Sequence, residues 1–197
     1  MRLEHITAIL KNKRVGIAGC GGLGSNCTVA LARAGVGTLV IADFDVVSVA
    51  NLNRQYYFLD QVGMKKTEAL KYNILRINPM IRIIAHDTRL TKENIPGTFT
   101  GCDAVVEAFD LADQKQVIIE AMLDKMPSMP LVVGSGMAGY GMNDVIRCRR
   151  AGNLWICGDE TSEVGPEMPP IAPRVGMVAS MQANVVMEIL LSSEVAR

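Results

Sequence analysis

Between Arg14 and Gln55 the chain carries two polar signatures whose spacing suits a bound polyphosphate. The first is a glycine turn, Gly19-Cys20-Gly21-Gly22-Leu23-Gly24-Ser25. Its Gly19, Gly21 and Gly24 keep the G-x-G-x-x-G spacing between an apolar run and a helical pattern. Glycine lets the backbone turn tightly there and admits phosphate without a Cβ in the way, and Gly22 adds a further open position. The helix that follows offers free N–H groups and about half a positive charge. The second signature runs from Asp43 to Gln55. Asp43 stands nineteen residues past Gly24, where a carboxylate accepts hydrogen bonds from ribose hydroxyls. A carboxylate there also repels a 2′-phosphate, which disfavours NADP.

NAD and ATP both satisfy the turn and the acid, and the following residues separate them. A dehydrogenase needs a substrate domain and a proton-transfer group. The chain's only histidines, His5 in the first helix and His86 past a strand, read as ordinary surface or core residues. Cleaving ATP calls instead for cations at the phosphates and usually a metal ligand. Arg54 supplies a planar fork that matches phosphate oxygens, and Asn51 and Gln55 add neutral polar contacts. Lys66 opens a helical pattern, where the macrodipole penalises a cation by about 0.3–1 kcal/mol and a bound phosphate reverses the penalty. Asp110 follows an apolar run, at the carboxyl edge where ligands of open α/β sheets gather. It is the best-placed carboxylate for Mg2+, with a helix N-cap as its structural alternative. Arg54 and Asp110 thus stand as candidate phosphate and magnesium groups; Lys66 has a solvated lysine as its alternative, and its place in a catalytic set of Arg54, Lys66 and Asp110 rests mainly on the family resemblance given below. Gly19, Gly21, Gly22, Gly24, Asp43, Asn51, Arg54, Gln55 and Lys66 form the expected ATP site, and Asp110 the expected magnesium ligand.

Twenty basic and twenty acidic residues cancel, so no overall field draws the chain to nucleic acid or to an anionic membrane. With 49% apolar and 20% charged residues the profile is globular, and 197 residues are expected to form one domain over 1–197. The first fourteen residues contain no apolar h-region, and no uninterrupted apolar stretch reaches the roughly 20 residues of a bilayer span. Cysteines at 20, 27, 102, 148 and 157 are odd in number and show no Cys-x-x-Cys spacing. That argues against a disulfide framework and a structural zinc, and for a cytoplasmic setting.

The apolar patterning predicts strands over 15–18, 38–42, 81–85, 104–109 and 131–133. Helices are expected over 23–34, 65–77, 111–125 and 175–191, with a weak helix or turn over 91–99. Short strands alternating with helices indicate a parallel sheet covered on both faces. Residues 145–149 and 153–156 read as an antiparallel hairpin added at one edge. Residues 158–174, with four prolines and several carboxylates, form the one long irregular segment.

Taken together, these residues resemble the ubiquitin-activating superfamily in its bacterial ThiF/MoeB/HesA branch, and most nearly its short thiamine-biosynthesis ThiF-like members. The resemblance rests on the glycine turn, Asp43-Phe44-Asp45, Asn51-Leu52-Asn53-Arg54-Gln55, Val62-Gly63-Met64-Lys65-Lys66, Asn78-Pro79 and Asp110. It extends to Pro173-Arg174-Val175 and Gln182-Ala183-Asn184 in the last helix. It implies an α/β, Rossmann-like, mostly parallel sheet with helices on both faces, extended by an antiparallel hairpin. It further implies a homodimer and ATP-dependent adenylation of the C-terminal glycine of a ubiquitin-fold sulfur carrier with a Gly-Gly tail. Asp43 would hold ribose, Asn51, Arg54 and Lys66 the phosphates, and Asp110 the magnesium. The chain departs from the family pattern in four ways. Residues 1–10 lack the arginine-rich arm of longer relatives, and Leu111 stands where Asn usually follows the metal Asp. Paired Cys-x-x-Cys motifs are missing, and no cysteine lies just before Pro173, Cys157 being nearest. Three other readings stay open: a non-catalytic scaffold subunit, activation of a small-molecule or tRNA-attached carboxylate, and an NAD-dependent dehydrogenase. Residues 134–141 are expected to line a channel for the carrier tail, with 158–174 crossing over it.

Overall fold

The computed structural model describes residues 1–195. A short helix α1 (Leu3–Leu10) leads into β1 (Arg14–Ala18), α2 (Gly22–Ala34) and β2 (Thr38–Asp43). An irregular excursion, residues 44–65, is followed by α3 (Lys66–Ile77), β3 (Arg82–Asp87), α4 (Ile95–Phe99) and β4 (Ala104–Glu107). The chain continues through α5 (Ala112–Lys125), β5 (Leu131–Gly134), β6 (Arg147–Ala151), β7 (Leu154–Gly158) and α6 (Ala172–Val195).

One seven-stranded sheet has the order β3-β2-β1-β4-β5-β7-β6, all parallel except β6, which runs antiparallel to β7. The expected hairpin is present, with its second strand on the inside: β7 pairs in parallel with β5, and β6 forms the outer edge. The strands fall one or two residues later than the pattern suggested. Gly152, at φ +63, makes the tight link between them, and Val145 sits in a short turn before them. His86 also lies within β3 rather than beyond it, because β2 runs on to Asp43 and draws β3 along as far as Asp87.

The central strands are buried on both faces, which is why they read as continuous apolar runs. Val15, Ile17, Leu39, Ile41 and Val106 face the layer of α2, α3 and α6. The alternate residues Ala18, Val40, Ala42, Val105 and Val133 face α4 and α5, where Phe99, Ile118 and Met122 complete the second core. Gly16 leaves the room that Phe99 occupies, since a Cβ there would stand 2.5 Å from its ring. By length and composition α6 could cross a membrane over Ala172–Ser192, with mean hydropathy 1.4. In this fold its apolar stripe is spent on burying Val175, Val178, Val186 and Leu190.

The strand order reverses between β1 and β4, and ligands of open α/β sheets bind at the carboxyl ends of such strands. The glycine turn leaves β1 at this point. Its third glycine is a packing residue: a Cβ on Gly24 would stand 1.8 Å from the Gly19 carbonyl oxygen. At the same edge Asp159, just after β7, fastens the last helix. Its Oδ2 accepts from Arg174 Nη2 at 2.5 Å, with both side chains almost wholly buried. Its Oδ1 accepts the Thr161 and Ser162 N–H groups at 2.8 and 2.7 Å. Arg174 Nη1 also donates to the Gly141 carbonyl. The first turn of α6, the glycine-rich segment 134–142 and the head of loop 159–171 are thus held at one point. Burial alone would raise the Asp159 carboxyl, but the hydrogen bonds from Ser162, Thr161 and Arg174 outweigh it and hold it well below the usual carboxylate range.

Two stability outcomes are expected. Gly24→Ala should lose about 1–3 kcal/mol through overpacking against backbone that cannot yield, read by chemical denaturation. Asp159→Asn should lose about 3–5 kcal/mol near neutral pH, because it strands a buried guanidinium. A carboxyl depressed on folding stabilises above its unfolded pKa, about 4, and that contribution is lost as pH falls below it. The gap between wild type and Asp159→Asn should therefore narrow steadily on acidification from pH 4. A gap independent of pH would remove the ionic account of this contact.

Candidate functional site

A cavity of about 320 Å3 opens at the carboxyl edge of the sheet, over the switch point. Its floor is the glycine turn. Gly19 takes φ +95 and lies so close to the Ala108 carbonyl oxygen that a Cβ would approach it to 3.0 Å. A Cβ on Gly21 would meet only Gln55 Nε2, at 3.8 Å, so the backbone here is open to a ligand. The first N–H groups of α2 lack intrahelical partners and supply donors for an anion. Gly22 packs under Val175 of α6 and the aliphatic part of Arg54.

One wall comes from the end of β2 and the excursion after it. Asp43 Oδ2 accepts the Cys20 N–H at 2.6 Å and Oδ1 accepts the Asp45 N–H at 2.8 Å. Each oxygen keeps a lone pair for a further donor such as a hydroxyl. Lys66, the first residue of α3, is 6% exposed, and its Nζ meets the half-exposed Asp45 Oδ2 at 2.8 Å. That carboxylate answers the unfavourable position of a buried ammonium at a helix N-terminus. Asp45 lines the cavity too. Asp45 is not among the expected site residues, although its place two residues beyond Asp43 is a usable signal.

Arg54 and Gln55 also line the cavity. The Arg54 guanidinium rests on its own segment, donating to the Ala50 carbonyl at 3.2 Å and to Asn53 Oδ1 at 2.8 Å. Gln55 is 8% exposed, and its buried Oε1 has no partner among the described residues. Asn51 does not line the cavity. Its Oδ1 accepts the Ser48 N–H at 3.0 Å, and its carbonyl takes the N–H groups of Arg54 and Gln55. Asn51 thus shapes the turn that delivers Arg54. Gly24 is likewise packed beneath the floor rather than exposed to the cavity.

The opposite wall begins at Phe109, Asp110 and Leu111. Strand β4 stops at Glu107, two residues earlier than expected, because Glu107 Oε1 accepts the Phe109 N–H at 2.6 Å and turns the chain. Glu107 is wholly buried and meets Lys115 Nζ at 2.9 and 3.0 Å, while the same Nζ donates to the Gly134 carbonyl. Burial pushes the Glu107 carboxyl up, against the pull of Lys115 and of the Phe109 and Gly134 N–H groups. Helix α5 starts at Ala112 with Leu111 in the cap position, so Asp110 is not its N-cap. Asp110 is exposed at the cavity, and its carboxylate has no hydrogen bond or ion pair among the described residues.

No group of three or more His, Cys, Asp or Glu side chains among the described residues could hold a metal ion by itself. A single carboxylate, unpartnered among the described residues and facing the cavity over the glycine turn, still fits Mg2+, which takes one or two carboxylates and completes its shell with phosphate oxygens and water. Met137, Val164 and Pro170 close the far end, where Gly139 pairs with Pro170. Cys157 is fully buried, and burial, with Cys148 opposite it on β6, pushes its thiol far up, so it rests as a neutral thiol.

The three residues expected to do chemistry, Arg54, Lys66 and Asp110, thus share one cavity with the open face of the glycine turn and Asp43. Glu107, Lys115 and Asp159 are not among the residues expected from the sequence. A family model described as the ThiF family matches residues 4–196. MoeZ of Mycobacterium tuberculosis, named a probable adenylyltransferase/sulfurtransferase, is 34% identical over 185 residues, covering 93% of this chain and 45% of MoeZ. The chain therefore spans less than half of that relative's length. The molybdopterin-synthase adenylyltransferase of Salmonella typhimurium is 32% identical over 186 residues, covering 92% of this chain and 74% of that protein. Among solved structures, the Escherichia coli tRNA N6-threonylcarbamoyladenosine dehydratase TcdA, in complex with AMP, aligns with a TM-score of 0.89. It covers 98% of this chain and 92% of TcdA at 21% identity, a likeness of fold. With a family match across nearly its whole described length and close agreement in fold, the chain belongs to the ThiF family.

Proposed function

We propose that this chain is an adenylyltransferase that uses ATP to activate the C-terminal glycine carboxylate of a ubiquitin-fold sulfur carrier. The observation that carries the reading is the meeting of Arg54, Lys66 and Asp110 with the glycine turn around one cavity. The names of MoeZ and of the molybdopterin-synthase enzyme point the same way. We take residues 1–197 as one adenylation domain working as a homodimer, and a thiazole-forming pathway as its setting, all three from the family resemblance. Sedimentation at micromolar concentration tests the dimer.

In the proposed reaction a carboxylate oxygen attacks the α-phosphorus of ATP. The bond to the bridging oxygen breaks, leaving an acyl adenylate and pyrophosphate. The nucleophile is already an anion, so the protein's task is to neutralise charge and align the reactants rather than to remove a proton. The glycine turn and the first N–H groups of α2 receive phosphate oxygens, and Asp43 receives the ribose hydroxyls. Arg54 swings from its rest position onto the phosphates, and Lys66, with three donors, serves a phosphate oxygen while keeping Asp45. Asp110 would hold Mg2+, which when bound supplies further charge neutralisation. The segment 134–141 and loop 159–171 flank the far end of the cavity, where the Gly-Gly tail would enter.

A second reading is activation of a tRNA-attached carboxylate. It is favoured by the match to TcdA along nearly the whole of both chains, whereas MoeZ is matched over less than half its length. ATP–pyrophosphate exchange separates the two, measured with a Gly-Gly carrier and then with tRNA in its place. Carrier-dependent exchange is expected; exchange that responds only to tRNA would reverse the order. Arg54→Ala should lower the exchange rate about 10²–10³-fold without unfolding the protein. Near-normal exchange in that variant would remove the role given to Arg54. Asp110→Asn should raise the magnesium concentration needed for half-maximal exchange.

A further inference from the structure

The segment that carries Arg54 and Gln55 is fastened to the glycine turn by three side chains, none of which lines the cavity. Ser25, wholly buried in the first turn of α2, uses both sides of its hydroxyl: Oγ donates to the Gly21 carbonyl at 2.6 Å and accepts the Tyr56 N–H at 2.9 Å. Asn26 spends both amide hydrogens in the same way, on the Gly22 carbonyl at 2.7 Å and the Arg54 carbonyl at 2.9 Å. Tyr57, 6% exposed, donates from Oη to the Cys20 carbonyl at 2.7 Å, and the Lys66 carbonyl stands 3.4 Å from the same oxygen. Three consecutive carbonyls of the glycine turn, those of Cys20, Gly21 and Gly22, are therefore tied one by one to Tyr57, Tyr56 and Arg54.

We infer that Ser25, Asn26 and Tyr57 are positioning residues that set the Arg54 backbone against the glycine turn, so that a triphosphate meets the turn and the guanidinium as one preassembled unit. The argument is geometric. Between β2 and α3 the chain runs for 22 residues (44–65) without regular elements beyond two short turns, and such a length of chain is costly to order. Ordering it only when the ligand arrives would subtract that cost from affinity. The Arg54 side chain is free to swing, since its rest contacts are a neutral carbonyl and an amide oxygen. Its backbone is not free: the Arg54 carbonyl is held by Asn26 and the next N–H but one by Ser25. The ties carry no charge and do not line the cavity, so any effect on the nucleotide passes through the glycine turn and the Arg54 segment that they join.

This inference rests on the nucleotide reading proposed above, and a double-mutant cycle separates the two. Asn26→Ala, and independently Tyr57→Phe, which keeps the ring in the core, are each made in the wild-type chain and in Arg54→Ala. ATP affinity is measured by equilibrium dialysis, and KM for ATP and kcat by ATP–pyrophosphate exchange. In the wild-type chain each change should weaken ATP binding and raise KM roughly tenfold. In the Arg54→Ala background it should cost no more than about twofold, because the residue being positioned is gone. Losses of equal size in both backgrounds would show a merely structural role and overturn the inference, as would no loss in the wild-type chain. If the wild-type chain binds ATP but exchanges no pyrophosphate with any carrier or tRNA, the adenylation reading fails and the dialysis cycle alone decides the inference. If the wild-type chain does not bind ATP, both fall.

Discussion

Charge withdrawn from water at the carboxyl edge of the sheet is what the architecture of the cavity depends on. Each ion taken into the interior costs several kcal/mol that only a well-made partnership recovers, and the chain does this three times along one edge. Asp45 meets Lys66 beyond β2, Glu107 meets Lys115 at the end of β4, and Asp159 meets Arg174 beyond β7. In every case one partner sits at or just past a strand end and the other on a helix, so each pair holds the loop that leaves the sheet there. Pairs of this kind are weak evidence for net stability. Their effect is to leave each loop few alternatives, because moving it would strand a charge.

The glycine turn, the strand–helix alternation and the site's place at the carboxyl edge were all legible in the sequence, for one reason; the strand order that makes this edge a switch point was not. Strands buried on both faces, such as Leu39 to Ala42, must be apolar without interruption, and the turn between them must be glycine where backbone meets backbone. The spacing therefore reports packing directly. The buried ion pairs were not legible. Glu107 ends an apolar run and reads as part of it, while Lys115 reads as an exposed helix residue; nothing local says that they meet through the sheet edge. Arg174 was visible only as part of a familiar triplet, and its partner Asp159 belongs to a segment that reads as irregular.

Asn51 meets the same limit. An amide in a polar loop can serve the ligand or serve the backbone, and the two roles share one sequence signature. The structure gives Asn51 to the Ser48 N–H and to the turn carrying Arg54, and leaves Gln55 beside the glycine turn with a buried, unpartnered oxygen. A polar loop motif therefore marks a ligand site more reliably than it says which member touches the ligand. Asp110 runs the other way. Its spacing fits a helix cap, but the cap position falls to Leu111, so its carboxylate stays available.

The two cations differ in how far they are committed. Arg54 rests on neutral acceptors, a carbonyl and an amide oxygen, whereas a phosphate oxyanion adds an opposite charge and can take the guanidinium fork bidentately. In the proposed reaction a phosphate draws the guanidinium away from these contacts, and because the backbone beneath it is held, only side-chain torsions need change. Lys66 rests on a carboxylate, which a phosphate does not displace so cheaply, yet it has no need to. An ammonium carries three donors, and Asp45 takes one of them. The carboxylate then steers the ammonium instead of competing for it, holding Nζ in a cavity from which burial and the helix dipole would otherwise repel positive charge. One cation thus rests on exchangeable neutral acceptors, and the other on a carboxylate that fixes its place.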